Sequence, residues 1–369
     1  MQISPFKIER YFARHEFRVD YVLCGSDCES MAIEDLLAFE PDAVDRFHRQ
    51  WLGYTESQGS PSLRREICNI YHDITPEQVL VHTGAEEAIF LFMHAMLSAA
   101  DHVIVHWPCY QSLMEVAKSI GCEVTLWKAA EENGWALDPA QLHMHIKSNT
   151  RVIVVNTPHN PTGYLMPADT FQEISRIAEA NGIIFFSDEV YRESEYRVED
   201  RLPAACDLGE HTVSLGVMSK TYGLPGLRIG WIATRNKDIY KKMAVLKDYT
   251  TICNSAPGEF LAELALRHRA ALVERTRNII LENLKMLDPF FERHADRLAW
   301  QRPSAGSIGF PKLLGEDVEV FCEALVKTAG VLLLPGTVYD DTDNHFRIGF
   351  GRRNLPAAIR RLEDFLQGR

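Results

Sequence analysis

The sequence predicts an α/β protein with a large domain built on a mostly parallel seven-stranded sheet and a smaller α+β domain. Between residues 76 and 235, short apolar runs rich in β-branched residues alternate with amphipathic helical stretches. The strand candidates are nearly all apolar, as expected for a parallel sheet covered by helices on both faces. The chain has 369 residues, 46% of them hydrophobic, which is more than one core usually supports.

The elements of the large domain follow in regular order. The predicted strands are Gln78–His82, His102–His106, Glu123–Trp127, Arg151–Asn156, Gly182–Ser187, Thr212–Gly216 and Gly230–Ala233. The helical stretches between them include Ala85–Ser98, Tyr110–Ile120, Pro139–Lys147 and Ala168–Ala180. Asp138 before Pro139 is typical of a helix start, an N-cap followed by proline at the first helical position. In such sheets a ligand lies beyond the carboxyl ends of the strands.

The last third of the chain has a different pattern. A long helical region, Ala256–Glu292, precedes three strand candidates and two helices: Ser307–Phe310, Val331–Leu334 and Phe346–Phe350, with Val318–Ala329 and Leu355–Gln367. We expect the first 45 residues to pack against this part. The sequence thus predicts a large domain over 46–255 and a small domain formed by 1–45 and 256–369.

Composition narrows the classes of function. The net charge of −12 gives no reason to expect nucleic acid or an anionic membrane as a partner. No apolar run reaches the roughly 20 residues that span a bilayer, and the first residues lack the apolar core of a signal peptide. The eight cysteines are scattered without a CxxC pair, so we expect free thiols in a cytoplasmic enzyme and no metal site.

The most specific segment surrounds a lysine and reads Ser219-Lys220-Thr221-Tyr222-Gly223-Leu224-Pro225-Gly226-Leu227-Arg228. A lysine that forms a Schiff base must be fixed and partly desolvated, so that its amine is neutral near pH 7. An arginine delivered by a tight turn suits a phosphate, because its planar fork donates two hydrogen bonds at once. A lysine for an aldehyde and an arginine for a phosphate together predict pyridoxal phosphate as the cofactor.

Other predicted strand ends carry matching chemistry. Gly84 allows a tight turn before a helix whose first N–H groups could hold a phosphate. Asn160, within Pro-His-Asn-Pro-Thr-Gly, could donate to a phenolate oxygen. Asp188 ends a buried strand and needs a cationic partner, either a protonated pyridine nitrogen or a structural salt bridge. Arg347 lies in an apolar strand, where its partner would be a substrate carboxylate or a structural acid.

Two tyrosines also follow predicted strands. Tyr110 could stack on a heteroaromatic ring or be an ordinary core or rim aromatic. Tyr191 could donate to the same oxygen as Asn160 or lie at the rim. Each signal is modest alone, but their order along the chain is informative.

With these motifs the chain resembles the fold-type I pyridoxal-phosphate enzymes of the class I and II aminotransferase group. The resemblance runs from about Tyr54 to the C-terminus and rests on Ser-Lys-x-x-Gly-x-x-Gly-x-Arg and Asn-Pro-Thr-Gly, both highly specific for that family. It implies the fold-type I transferase fold and a homodimer with active sites at the subunit interface. It also implies that Lys220 forms the internal aldimine and carries the proton between the substrate Cα and the cofactor.

The resemblance further implies residues that bind the cofactor and the substrate. The ring is held by Asp188 at the pyridine nitrogen, by Asn160 and Tyr191 at the phenolate oxygen and by Tyr110, which stacks on it. The phosphate is held by Ala85 and Glu86 through backbone N–H groups, by Ser219 and Arg228, and by Tyr54 from the neighbouring subunit. The substrate carboxylate is held by Arg347 and Gly25.

Three features depart from the family pattern. Val217 stands where many members have a hydroxyl residue that binds the phosphate, and Thr250, Thr251 or Ser255 could supply that bond instead. Glu86 places a carboxylate at the phosphate site, so its side chain must point away. The N-terminal substrate loop is replaced by residues 23–30, whose Asp27 and Glu29 either indicate a cationic substrate or belong to a solvated loop.

The resemblance implies transfer of the amino group from an L-amino acid to a 2-oxo acid. The sequence around Arg228 and Asn160 is also similar to that of the capreomycidine synthase branch, so elimination with cyclisation remains an alternative reaction. Decarboxylation is a further alternative. A ligand-sensing domain of a transcription regulator would need a DNA-binding segment, and the segment before Tyr54 is too short and not basic.

Overall fold

The structure is a computed structural model that describes residues 2–368. Its strands are β1 Tyr21–Val22, β2 Val79–His82, β3 His102–Trp107, β4 Glu123–Lys128, β5 Thr150–Asn156, β6 Ile184–Asp188, β7 Thr212–Val217, β8 Gly230–Ala233, β9 Leu298–Ala299, β10 Ile308–Gly309, β11 Lys312–Leu313, β12 Val331–Leu332, β13 Leu334–Pro335 and β14 Phe346–Gly349. The seven strands predicted for the large domain are therefore present, with ends that differ from the prediction by at most two residues.

The α-helices alternate with these strands in the first two thirds of the chain. They are α1 Lys7–His15, α2 Ile33–Leu37, α3 Ala43–His48, α4 Pro61–Cys68, α5 Gly84–Met96, α6 Ser112–Ile120, α7 Leu142–His145, α8 Ala168–Ala180, α9 Ala205–Leu208, α10 Lys237–Lys247, α11 Ala256–Arg267, α12 Arg269–Arg293, α13 Val318–Ala329 and α14 Leu355–Gln367. The helix expected over Pro139–Lys147 is a 3₁₀ turn, Pro139–Gln141, followed by the short α7. Asp138 caps that turn, accepting a hydrogen bond from the N–H of Ala140 at 3.0 Å. Every helix within residues 2–368 is too short or too polar to span a bilayer.

The large sheet has the order β2-β8-β7-β6-β5-β3-β4. Its strands are parallel except β8, which runs antiparallel to both β2 and β7. Successive side chains of a strand point to opposite faces, so Phe185 packs in one core cluster with α8 and Phe186 in another with α5 and α6. Both faces are covered, and the predicted α/β fold class is confirmed.

The small domain contains a three-stranded antiparallel sheet, β10-β14-β13, and a separate parallel pair formed by β1 and β12. Helices α13 and α14 and the second half of α12 pack on these strands in a common apolar cluster. Because β1 pairs with β12, the chain at residues 21–22 lies against this domain.

The expected boundary at residue 256 does not coincide with the point where the helices stop packing on the large sheet. Leu261 and Leu264 of α11, like Leu36 and Leu37 of α2, pack in the cluster that contains Val79 and other residues of the large sheet. Helix α11 packs there because its apolar side covers the apolar face of the large sheet, and an amphipathic helix lies where its apolar side is buried. We therefore propose that the small domain begins within α12 and not at residue 256.

Candidate active site

A cavity of about 460 Å³ lies at the carboxyl ends of β5, β6 and β7, between the large sheet and the small domain. Of the twelve site residues expected from the sequence, eleven line it. They are Gly25, Ala85, Glu86, Tyr110, Asn160, Asp188, Tyr191, Ser219, Lys220, Arg228 and Arg347. The parallel strands explain this convergence, because their carboxyl ends meet at one edge of the sheet.

Lys220 follows β7 by three residues and lies half-buried in the cavity. Its Nζ donates a hydrogen bond to Ser26 Oγ at 2.8 Å. Burial lowers the pKa of the Lys220 amine, and the carboxylates of Asp27 and Asp188 oppose that shift. A desolvated amine of this kind loses its proton at a lower pH than an exposed lysine, which is what a nucleophile or general base requires.

Asp188 is the last residue of β6 and is buried in the sheet beside Asn156 of β5. The N–H of Val190 donates to its Oδ1 at 3.2 Å. Burial raises the pKa of Asp188 from 3.8 to about 7, and the charge of Lys220 opposes the rise. Within residues 2–368 no cation forms a salt bridge with Asp188, so the site has room for a cationic ligand group at this carboxylate.

Asn160 and Tyr191 present hydrogen-bond donors to the cavity. The Oδ1 atom of Asn160 accepts hydrogen bonds from Tyr339 at 3.0 Å and from Arg347 at 3.2 Å. These two donors fix the amide and leave Nδ2 as its remaining donor group. The hydroxyl of Tyr191 is buried, lies near Ser26 and forms no hydrogen bond of normal geometry with the described residues. A buried polar atom without a partner indicates a ligand.

Helix α5 begins at Gly84 with the guanidinium of Arg228 next to its first turn. A Cβ atom at Gly84 would lie 2.6 Å from Arg228 Nη2, and the φ of 82° at this residue is a conformation that favours glycine. Arg228 has a φ of 52° and donates to the carbonyl of Pro225 at 3.1 Å. Among residues 2–368 no carboxylate pairs with it. A helix N-terminus and an unpaired arginine together attract an anion such as phosphate.

The two departures at the phosphate site have structural consequences. Glu86 accepts a hydrogen bond from Ser112 at 3.1 Å, so its carboxylate is turned toward α6, and burial raises its pKa. Val217 is buried against the cavity and offers no side-chain donor. Of the proposed substitutes, Thr250 and Thr251 donate to Glu87, each at 2.7 Å, outside the cavity. The third, Ser255, accepts a hydrogen bond from the N–H of Gly258 at the start of α11 and also lies outside the cavity.

Arg347 lies in β14, is only 2% exposed and forms part of the cavity wall. Its Nε donates to the carbonyl of Cys24 at 3.0 Å, and its Nη1 donates to the hydroxyl of Tyr339 at 2.6 Å. These bonds leave Nη2 for a further acceptor. No structural acid pairs with Arg347 in the described part of the chain, so the alternative left open by the sequence is absent there.

Sequence reasoning missed several cavity residues. Arg352 contacts both carboxylate oxygens of Asp27 at 2.9 Å and lines the cavity. Asp27 is therefore neutralised, while Glu29 accepts from the backbone of Arg353 and does not line the cavity. Helix α1 also contributes to the wall. Apart from the resemblance that implies Gly25, no sequence signal relates residues 8–27 to the cavity, although the unusual loop at 23–30 marks part of it.

Tyr54 is the one expected site residue outside the cavity. Its side chain is 91% exposed, next to Trp51 at 87% and Leu52 at 80%. It lines a shallow surface groove with residues 253–257. Three large exposed apolar side chains in one short segment are unusual for a surface that faces only water.

The family of class I and II aminotransferases matches residues 23–362 of the chain. The capreomycidine synthase of Streptomyces vinaceus is 28% identical over 98% of this chain and 95% of the relative. The aspartate aminotransferase of Pyrococcus horikoshii is 30% identical over 86% of this chain and 84% of the relative.

Two solved structures are similar to the whole chain. A PLP-dependent aminotransferase from Streptococcus suis has a TM-score of 0.94 and 33% identity, covering 100% of this chain and 98% of that one. The PLP-dependent cyclase OrfR has a TM-score of 0.91 and 28% identity, with the same coverage. The family model spans most of the sequence, and both fold and motifs agree with it. The chain therefore belongs to the class I and II aminotransferase family.

Proposed function

We propose that this protein transfers the amino group of an L-amino acid to a 2-oxo acid with pyridoxal phosphate as its cofactor. The observation that carries the proposal is the cavity in which a desolvated lysine, a buried carboxylate without a cation and a buried arginine without an acid meet: Lys220, Asp188 and Arg347. Membership of the aminotransferase family confirms the class of enzyme and the cofactor expected from the sequence.

The free groups of the cavity fit pyridoxal phosphate. Arg228 and the start of α5 suit its phosphate, and Asp188 suits a protonated ring nitrogen. The unpartnered hydroxyl of Tyr191 and the Nδ2 of Asn160 suit a phenolate oxygen. When bound, the cofactor supplies an aldehyde for the amino group and a protonated ring that withdraws electrons from the substrate Cα.

The remaining steps belong to the side chains of this protein. Arg347 binds the α-carboxylate of the substrate through Nη2, which fixes one of the three groups on Cα and so selects the bond to be broken. The Lys220 amine, whose pKa burial lowers, takes the proton from Cα as general base and then donates that proton in the second half of the transfer. The Asp188 carboxylate has no other cationic partner in the sheet, so it would keep the pyridine nitrogen of the cofactor protonated.

A homodimer would complete the phosphate site. The exposed Trp51, Leu52 and Tyr54, together with Tyr249 at 86% exposure, form an apolar surface of the kind that a second copy covers. In the dimer Tyr54 would reach the phosphate bound by the partner. Sedimentation of the purified protein tests this part, and a monomer at micromolar concentration contradicts it.

A cytoplasmic location is also part of the proposal. The eight cysteines are free in the structure, and free thiols are what a reducing compartment maintains.

The half-reaction tests the proposed function directly. The loaded enzyme is mixed with single amino acids, and the absorbance of the bound cofactor is followed without and with a 2-oxo acid. We expect the reaction to stop after one amino group per site until the oxo acid is added. Lys220→Ala should reduce turnover by about 10²–10⁴-fold, the contribution of a general base, and more if covalent binding is also lost. Full turnover in Lys220→Ala would contradict the assignment.

Elimination with cyclisation is the second candidate, and the similarity to capreomycidine synthase over 98% of the chain favours it. The similarity to the structure of the cyclase OrfR, which covers the whole chain, also favours this reaction. Decarboxylation remains the third outcome left open by the sequence. Multiple turnovers of an amino acid without any 2-oxo acid would support these two reactions over transamination, and the mass of the product would separate them.

A further inference from the structure

Tyr339 is a buried tyrosine that the sequence patterns did not single out. It ends the 3₁₀ turn Gly336–Tyr339 of the small domain and is 2% exposed. Its hydroxyl accepts a hydrogen bond from Arg347 Nη1 at 2.6 Å and donates one to Asn160 Oδ1 at 3.0 Å. Burial raises the pKa of Tyr339 to about 12, so the hydroxyl keeps the proton that it donates.

The hydroxyl of Tyr339 contributes to the orientation of the Asn160 amide. Two donors, Tyr339 and Arg347, converge on Oδ1, and a reversed amide would place an NH₂ group against both of them. The amide therefore offers a donor, not an acceptor, to the cavity. Without the hydroxyl only the longer bond of 3.2 Å from Arg347 holds this orientation.

The same hydroxyl holds the guanidinium of Arg347. In the described part of the chain that cation has three acceptors: the carbonyl of Cys24, the hydroxyl of Tyr339 and the Oδ1 of Asn160. Asn160 belongs to a loop of the large domain, whereas Arg347 and Tyr339 belong to the small domain. The three side chains thus join the carboxylate-binding group of one domain to a ring-facing donor of the other.

We propose that Tyr339 is a positioning residue that keeps Arg347 and Asn160 in a fixed register across the two domains. The inference rests on the proposed function, in which Arg347 binds the substrate carboxylate and Asn160 donates to the cofactor. Tyr339 itself touches neither in this assignment, since it is absent from the cavity wall. Its effect is transmitted through the other two side chains.

Tyr339→Phe tests the proposal with small structural change, because the ring and its edge contact with Phe310 at 5.8 Å are kept. Loss of a hydrogen bond to a buried charged group corresponds to a KM for the amino acid about tenfold higher. We expect kcat to change less, by about threefold or under, because Lys220 is untouched. The midpoint of the pH-dependent absorbance change of the bound cofactor should also move to higher pH, since a phenolate with a poorly held donor is more basic.

Tyr196→Phe is the matched control. Tyr196 donates one hydrogen bond to the carbonyl of Gly306 at 3.2 Å and does not line the cavity. We expect its KM and cofactor absorbance to match those of the wild type. Unchanged KM and midpoint in Tyr339→Phe overturn the proposal, and so does a change in both that is matched by Tyr196→Phe. A wild type that takes up no pyridoxal phosphate overturns the proposed function itself, and this inference with it.

Discussion

Asp188→Asn should stabilise the cofactor-free protein at high pH while it damages the enzyme. Asp188 is buried without a salt bridge among residues 2–368, and burial raises its pKa from 3.8 to about 7. A carboxyl whose pKa is higher in the folded protein binds its proton more tightly there. The folded state therefore loses stability as the pH rises from about 4 to about 7, because the buried carboxylate must ionise.

The pKa difference sets the magnitude. It corresponds to about 4 kcal/mol at pH 8 as an upper limit, because water entry reduces the cost of the buried charge. The asparagine side chain of the variant carries no charge, so the free energy of unfolding of the cofactor-free variant should exceed that of the wild type at pH 8 and approach it at pH 4.5. Bound cofactor supplies the missing cation, so it should stabilise the wild type much more than the variant.

Denaturant unfolding measures this directly, on cofactor-free and cofactor-loaded protein at pH 4.5 and pH 8. Asp169→Asn, an exposed aspartate in the first turn of α8, is the matched control and should show no pH-dependent gain. Turnover of the Asp188→Asn enzyme should fall by at least about 100-fold, as when one preorganised charge is removed. A cofactor-free variant that is less stable than the wild type at pH 8 would refute the reasoning.

Three other substitutions test the remaining groups. Arg347→Gln should raise the KM for the amino acid by about 10–100-fold through loss of a charged hydrogen-bond pair, whereas Arg353→Gln, on the exposed side of the same segment, should leave it unchanged in the same kinetic assay. Val217→Thr should slow cofactor dissociation several-fold, because it restores a hydroxyl donor. It should also lower the stability of the cofactor-free protein by about 1–2 kcal/mol, because the hydroxyl is then buried without a partner. Faster dissociation would contradict the role given to that position. Tyr54→Phe should weaken cofactor binding several-fold in equilibrium dialysis, because the hydroxyl acts across the dimer. The unfolding of the cofactor-free monomer should not change. An unchanged affinity would remove Tyr54 from the site.

The seven-stranded sheet could be predicted because its signal is local. Each buried strand is a short apolar run, and each covering helix has its own periodicity, so the pattern survives without knowledge of the neighbours. The boundary of the small domain could not be predicted in this way. Helix α11 has the same composition whether it covers the large sheet or the small domain, and only the packing of Leu261 and Leu264 decides between them.

Many residues that line the cavity could be predicted from the sequence because they lie at strand ends or in a motif with little conformational freedom. Lys220 and Arg228 are fixed by one turn, and Asn160 and Asp188 lie at the ends of neighbouring parallel strands. Because the carboxyl ends of parallel strands meet at one edge of the sheet, the order of the strands along the chain is enough to predict that these residues lie close together.

The contacts among the cavity residues around Lys220, Asp27 and Arg347 were decided by tertiary structure. Ser26 bonds to Lys220, Arg352 neutralises Asp27, and Tyr339 joins Arg347 to Asn160, all between residues far apart in the chain or across the two domains. Such contacts depend on how β1 and α1 cross to the small domain, which no periodicity encodes. The sequence by itself thus determined the fold class and the chemistry of the cofactor, since both rest on local patterns. Only the three-dimensional packing decided which charged groups of the cavity pair with each other, because charge pairing depends on distance in space rather than along the chain.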